Sequence, residues 1–153
     1  MHIILISTTF INLTFGVWLY YVLNKSRVLY NDRFGFTATF SASSTLGLIA
    51  ALNLFLLFPD HFEILGMINL LLGICIGWLF GSMLNAQSLI AGIYNGGIGG
   101  IMGTMAGAVI MNPAICGLPA TALTEQQIII FFALLSICIQ GISAILLIFS
   151  FRA

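Results

Sequence analysis

The sequence predicts an all-α integral membrane protein with five transmembrane helices, and three observations lead to this prediction. The 153 residues are 61% hydrophobic and only 5% charged, and their mean hydropathy is +1.17. Soluble domains carry about 25% charged residues, because a surface that faces water has to be polar. The chain also contains five apolar segments of membrane-spanning length, and all charged residues and prolines fall outside them.

Each apolar segment is long enough to cross a bilayer, since about 20 helical residues span a hydrocarbon core of about 30 Å. Strands are not expected, because the apolar runs are continuous and do not alternate with polar residues. We interpret residues 1–153 as a single transmembrane domain. The predicted spans are about 3–23, 35–58, 64–84, 88–111 and 127–150.

The positions of Lys and Arg predict the orientation of the chain, because cytoplasmic loops are enriched in these residues. Lys25, Arg27 and Arg33 lie in the first loop, and Arg152 lies after the fifth span. With five spans these two regions lie on the same side of the membrane. We therefore expect the N-terminus on the outer side of the cell membrane and the C-terminus on the cytoplasmic side. The first apolar segment lacks the basic start and cleavage site of a secretory signal, and we expect it to remain as a span.

The scarcity of charge also excludes some classes of function. Four basic residues provide no electrostatic footprint for nucleic acid. No predicted span contains an internal Asp, Glu, Lys, Arg or His, so a general acid or base and a proton relay are lacking. We therefore expect no enzymatic activity, and the three cysteines do not indicate a disulfide framework.

Glycines are concentrated in the segment Gly92–Gly107, which holds seven of the sixteen in the chain. On a helical wheel of about 100° per residue, six of these seven lie on one face and only Gly97 lies outside it. A dinucleotide-binding loop is excluded, because the fingerprint fails at Met102 and no strand precedes it. With the i, i+4, i+8 glycines of the third span, the predicted helix-packing residues are Gly73, Gly77, Gly81, Gly92, Gly96, Gly99, Gly100, Gly103 and Gly107.

Glycine faces of this kind, with their overlapping GxxxG spacings, let helix backbones approach closely in a bilayer. The short connection NAQS between the third and fourth spans predicts an antiparallel hairpin in which the two glycine faces meet. In the alternative arrangement, one glycine face points outward and binds a second copy or another membrane protein. We therefore expect a homo-oligomer or a membrane-protein partner.

Polar residues within the apolar spans have two interpretations. They can form hydrogen bonds between helices, or they can line a path for a neutral substrate. The residues concerned are Asn12, Ser41, Ser43, Ser44, Asn53, Asn69, Asn95, Thr104 and Gln140.

Two hypotheses of function follow, and neither requires a cofactor. In the first, the protein is a small transport or channel module with a path near the glycine-rich fourth helix. The sequence leaves open whether this helix is continuous or broken at residues 95–100, and a break would favour this hypothesis, because glycine-interrupted spans mark substrate sites in transporters. The path would use Asn95, Gly97 and Asn69. In the second, the protein is an accessory or assembly subunit that docks to a membrane partner through a glycine face.

Copper handling is a third alternative. Thioether and thiolate ligands favour Cu(I), and imidazole binds copper or zinc. The predicted topology places a set of such residues on the outer side and along the fourth span, although their spacing matches no metal motif and Met also fills gaps beside glycine. The candidate metal ligands are Met102, Met105, Met111, Cys116, His61 and His2.

Overall fold

The computed structural model describes residues 2–26, 32–117 and 124–150, and all regular secondary structure in these ranges is helical. Five helices are long and apolar enough to cross a membrane, which confirms the predicted all-α class and the number of spans. A short 3-10 helix, Pro113–Cys116, follows the fourth helix. The five helices are α1 (His2–Ser26), α2 (Asp32–Leu57), α3 (Phe62–Gly81), α4 (Ala86–Met111) and α5 (Glu125–Ser150).

The end of α3 differs from the predicted span, which extended to residue 84. The helix ends at Gly81, where Ser82 donates its backbone N–H to the carbonyl of Trp78 at 2.8 Å. Leu84 then donates to the carbonyl of Gly81 at 3.4 Å, so the chain reverses in a tight turn. Hydropathy could not locate this turn, because the turn itself contains apolar residues.

α4 is continuous over its whole length, and the structure describes every residue of it. Of the two alternatives that the sequence left open, a continuous helix or a break at residues 95–100, the structure has the continuous helix. Gly97 is helical like its neighbours, and its Cα faces the side chains of Leu70 and Ile74 on α3. Main-chain carbonyls in the middle of α4 are therefore not released by an unwound segment.

The backbones of α3 and α4 are in direct contact through glycine. A Cβ added to Gly73 would overlap the carbonyl oxygen of Gly96, and one added to Gly77 would overlap that of Gly92. From Gly73 to Gly77 the residue number rises by four on α3, whereas from Gly96 to Gly92 it falls by four on α4. The two helices are therefore antiparallel. Side chains larger than hydrogen have no room at these positions.

The backbone of α4 also contacts α2, which the sequence did not predict. A Cβ added to Gly99 would lie 2.6 Å from the carbonyl oxygen of Ser44, and one added to Gly103 would overlap that of Leu48. Residue numbers increase together along α2 and α4, so these helices are parallel. The glycines of α4 thus form two rows: Gly92, Gly96 and Gly100 face α3, and Gly99, Gly103 and Gly107 face α2.

The three backbones come closest at Gly96. Its carbonyl oxygen would be overlapped by a Cβ on Gly73 of α3 and would lie 2.8 Å from a Cβ on Gly47 of α2. At one height along α4 the two glycine rows are about 90° apart on the helical wheel, so α4 fits into the groove between α2 and α3. These three helices form the closely packed part of the protein.

α1 and α5 pack on α2 through side chains. One apolar cluster joins Leu5 of α1, Leu52 of α2 and Ile129 of α5. A second cluster joins Leu19 of α1 with residues of α2 and α5 and also reaches Phe80 of α3. Elsewhere α1 and α3 make almost no contact, and this separation leaves a cleft between them.

Candidate binding site

The cleft is a cavity of about 430 Å³ between α1 and α3, with α2 and α5 at its base. At one end the rings of Tyr20 and Phe80 meet edge to face, with their centroids 5.5 Å apart. Leu13, Val17 and Leu79 line the cleft and are themselves exposed. The cleft therefore opens sideways, on the surface that faces lipid in a membrane.

Three buried amide side chains line the base of the cleft, one from each of three helices: Asn12 of α1, Asn53 of α2 and Gln140 of α5. Their exposed fractions are 5%, 1% and 3% respectively. Together with Ser136 of α5, which hydrogen bonds to both asparagines, we call them the amide cluster. Because bilayer lipid cannot hydrogen bond to them, these groups have to find partners within the protein or in a ligand.

The N–H groups of the amide cluster have acceptors within the protein. Asn12 Nδ2 donates to Ser136 Oγ at 2.9 Å, and Ser136 Oγ donates to the carbonyl of Ala133 at 2.7 Å. Asn53 Nδ2 donates to the carbonyl of Ile49 at 2.9 Å and to Ser136 Oγ at 3.4 Å. Gln140 Nε2 donates to the main-chain carbonyl of Asn12 at 2.8 Å.

Unlike these nitrogens, the carbonyl oxygens of the same three amides have no hydrogen-bond partner in the described part of the chain. Asn12 Oδ1, Asn53 Oδ1 and Gln140 Oε1 are buried and accept no hydrogen bond from the part of the chain that the structure describes. A buried acceptor without a donor is rare in proteins and costs about 1–3 kcal/mol. Asn69 Oδ1 also has no partner among the described residues, but Asn69 does not line the cleft. The cleft thus combines an apolar lining with three unused acceptors buried beneath its base.

The three residues predicted for a path along α4 are not brought together. Asn95 is half-buried, donates to the carbonyl of Ala91 in its own helix at 2.8 Å, and borders a separate groove of about 410 Å³ with Tyr94 and Phe36. Gly97 faces apolar side chains of α3, as described above. Asn69 is fully enclosed between α2 and α4.

Asn69 links three helices by hydrogen bonds. Its Nδ2 donates to the carbonyl of Ala51 on α2 at 3.1 Å and to Thr104 Oγ1 on α4 at 2.8 Å. Thr104 Oγ1 in turn donates to the carbonyl of Gly100 at 2.9 Å. These contacts support a packing role for Asn69, beside the glycine contacts of the same helices.

The candidate metal ligands are spread over several parts of the structure. Met102 and Met105 are on the exposed face of α4, and His61 and Cys116 are exposed near helix ends. Met111 is half-buried, packed against apolar clusters, and the side chain of His2 is outside the described part of the chain. Within that part, no three His, Cys, Asp or Glu side chains are placed to hold a metal ion. Copper handling stays a prediction.

In the sequence the three amides are among nine polar residues within the predicted spans, and nothing distinguishes them from the other six. The signal was a polar residue near the middle of an apolar span, and Asn69 and Asn95 carry the same signal. Periodicity within one helix does not show which other helix its face meets. The convergence of Asn12, Asn53 and Gln140 became visible only when the helices were placed in three dimensions.

Five apolar helices of membrane-spanning length make this chain a small multi-pass membrane protein. The chain matches no known protein family, no curated protein and no solved structure. A proposal of function therefore has to be based on the cleft and the helices that form it.

Proposed function

We propose that this protein is a small, non-enzymatic transport module of the cell membrane, and that its substrate occupies the cleft and does not pass along α4. The observation that supports this proposal is a cavity at which three buried amides from three helices converge. Small-molecule sites are typically cavities of about 300–1,000 Å³ with a mainly apolar lining and a few polar groups that fix orientation. The cleft has this volume and this composition.

A neutral substrate fits the cleft best. The residues that line it, all of them described, include no Asp, Glu, Lys, Arg or His. A charged group within the bilayer is costly unless an opposite charge or water stabilises it. Amides and an apolar wall stabilise a neutral molecule without such compensation.

In this proposal α3 and α4 form the glycine-rich antiparallel hairpin, and α2 completes a rigid half of the protein. Backbone contacts at Gly73, Gly77 and Gly96 support this role, because packed backbones have no side-chain rotamers through which to yield. α1 is attached mainly through side chains and lacks a continuous interface with α3. A shift of α1 is therefore the simplest way to open the cleft further.

Photolabelling tests this proposal. The wild-type protein in lipid nanodiscs is labelled with an eight-carbon alkanol that carries a diazirine, and the labelled residues are mapped by mass spectrometry. We expect labels on the cleft surfaces of α1 and α3. Ala50→Phe, which places a ring in the cleft, should reduce this labelling about tenfold, whereas Leu71→Phe on the exposed face of α3 should leave it unchanged.

Two results would contradict the proposed site. Labels that cluster around Asn95 would show that the substrate path lies along α4, as the sequence first predicted. Labels spread evenly over the lipid-facing surfaces, with no effect of Ala50→Phe, would show that the cleft holds no ligand.

The proposed orientation, with the N-terminus outside, predicts which cysteine reacts from outside the cell. Cys116 is exposed in the segment after α4, whereas Cys75 and Cys138 are exposed only on the faces of membrane-spanning helices. A membrane-impermeant maleimide added to intact cells should therefore modify Cys116, and Cys116→Ser should abolish the reaction. If Cys116 is modified only after the cells are opened, the chain has the opposite orientation, with the N-terminus inside the cell.

The second proposal, an accessory or assembly subunit, has less glycine surface available than the sequence suggested. The nine glycines predicted for packing all contact other helices of the same chain, whereas Gly66 of α3 and Gly141 of α5 have open space at the Cβ position. A partner or a second copy would therefore dock near Gly66 or Gly141. The mass of the purified protein in detergent, with any co-purifying subunit identified, distinguishes this proposal from a monomeric module.

A further inference from the structure

We infer that the cleft binds an uncharged amphipathic alcohol, a molecule with an apolar chain and a terminal hydroxyl, which enters from the lipid between α1 and α3 with its hydroxyl toward the amide cluster. This inference rests on the proposed function and specifies its substrate class. It depends on which hydrogen-bonding groups of the cluster are used and which are free.

The amide cluster has three carbonyl acceptors to spare, whereas each of its nitrogens has at least one acceptor. Asn12 Nδ2 and Gln140 Nε2 each use one of their two N–H groups in this way. Asn12 Nδ2, Asn53 Nδ2 and Gln140 Nε2 each donate within the protein, while the carbonyl oxygens of the same side chains accept nothing from the described residues. A ligand that only accepts hydrogen bonds, such as an ether, leaves all three carbonyl oxygens without a partner. A ligand that donates one satisfies an acceptor that is otherwise left buried without a partner.

A hydroxyl can reach these oxygens through a small local change. Each oxygen exposes less than 1 Å² at present, although the three side chains line the cavity. The terminal torsion of an Asn or Gln amide is broad and has no sharp staggered minima, so the amide can turn its oxygen toward the cavity. Ser136 Oγ accepts from both asparagines, so one of them can turn while the other keeps its bond.

The wall of the cleft fits the apolar part of such a molecule. Leu72, Ile76 and Leu79 of α3 face Leu13 and Val17 of α1 across the opening. Several of these side chains are also exposed on the lipid-facing surface, so the wall of the cleft continues into that surface. An alkyl chain could slide in from the membrane without passing through water.

Free carbonyl oxygens also suit a cation, but the surroundings of this cluster favour a neutral donor. No carboxylate is among the described residues that line the cleft, so nothing there would balance a positive charge. Burying an unbalanced charge at this depth in a bilayer is strongly unfavourable. A hydroxyl satisfies the same oxygens and brings no net charge.

The inference is tested by competition against the diazirine-bearing alkanol on the wild-type protein in nanodiscs. The competitors are 1-decanol, its isomer 1-methoxynonane and undecane, three molecules with the same number of heavy atoms, of which only the first donates a hydrogen bond. Their concentrations in the bilayer are matched by measured partition coefficients. We expect 1-decanol to displace the probe from the cleft at about tenfold lower concentration than the other two.

A variant assigns this preference to the amide cluster. Gln140→Met keeps the length of the side chain and removes its carbonyl oxygen, and it should lower the preference for 1-decanol about threefold. Gln126→Met, an exposed position at the start of the same helix, should leave the preference unchanged. If Gln140→Met does not fold, the competition on the wild-type protein still decides.

Each other outcome overturns a defined statement. If all three competitors act equally at the cleft, the cleft binds apolar molecules in general, and the alcohol inference fails while the proposed function stands. Labelling of the cleft that rises when Na⁺ is replaced by choline would show that Na⁺ competes for the oxygens, and this would also overturn the inference. If the cleft is not labelled at all, both the proposed function and the inference fail.

Discussion

Replacing Gly96 with Ala is expected to separate the helices of the closely packed half and to destabilise the protein by about 3 kcal/mol, the upper end for overpacking by one small group. The added methyl group would overlap the carbonyl oxygen of Gly73 and would approach the backbone of Gly77 to 3.0 Å. Both obstacles are backbone atoms, so no rotamer change can relieve the contact. The helices α3 and α4 would have to move apart, which disrupts the contact between α4 and α2 as well.

The neighbouring residue provides a matched control. A methyl group at Gly97 would meet only the side chains of Ile74 and Leu70, at 3.3 and 3.4 Å, and the ends of these side chains can adjust. We expect Gly97→Ala to change stability by less than about 1 kcal/mol. The apparent unfolding temperature of each variant in detergent, followed by size-exclusion chromatography after heating, measures the difference. Equal losses for the two variants would show that α4 does not contact α3 as described.

Replacing Asn69 with Leu should produce the second-largest effect, a loss of about 2 kcal/mol. The side chain is fully buried and its two hydrogen bonds join α3 to Ala51 on α2 and to Thr104 on α4. Leu has a similar volume but neither donor. The buried helices would therefore keep much of their packing and lose their polar link.

Thr104→Val isolates the part of this loss that belongs to one bond. In a double-mutant cycle the variants of Asn69 and Thr104 should be non-additive, because both remove the same 2.8 Å hydrogen bond. Asn95→Leu is the control, since that amide bonds only within its own helix and is partly exposed. Additive losses for Asn69 and Thr104, or an equal loss for Asn95→Leu, would refute the linking role of Asn69.

The packing around α4 shows where prediction from sequence reached its limit. Glycine spacing on a helical wheel identified residues that lack room for a side chain, such as Gly73 and Gly96. The helical wheel showed the glycines of α4 as one face with one partner helix, because it projects residues from every level along the helix axis onto a single circle. In three dimensions the same glycines face two helices, and Gly47 of α2, which belongs to no glycine series, lies at their junction.

The cleft shows a similar limit. Asn12, Asn53 and Gln140 stood out in the sequence as polar residues in apolar spans, and so did Asn69 and Asn95. Only the first three converge on a cavity, because α1 diverges from α3 while both contact α2. Small differences in side-chain packing determine such an angle between helices, and hydropathy does not record them.

Hydropathy and the position of the charged residues were enough to predict the membrane class and the number of spans, because a bilayer imposes these properties on each segment separately. The sequence also showed which residues were too small or too polar to be ordinary lipid-facing positions. The helices that share the glycine faces and the amides that meet became visible only in the three-dimensional arrangement of the helices. That arrangement depends on contacts between residues far apart in the chain, such as Gly47 with Gly96 and Asn12 with Gln140.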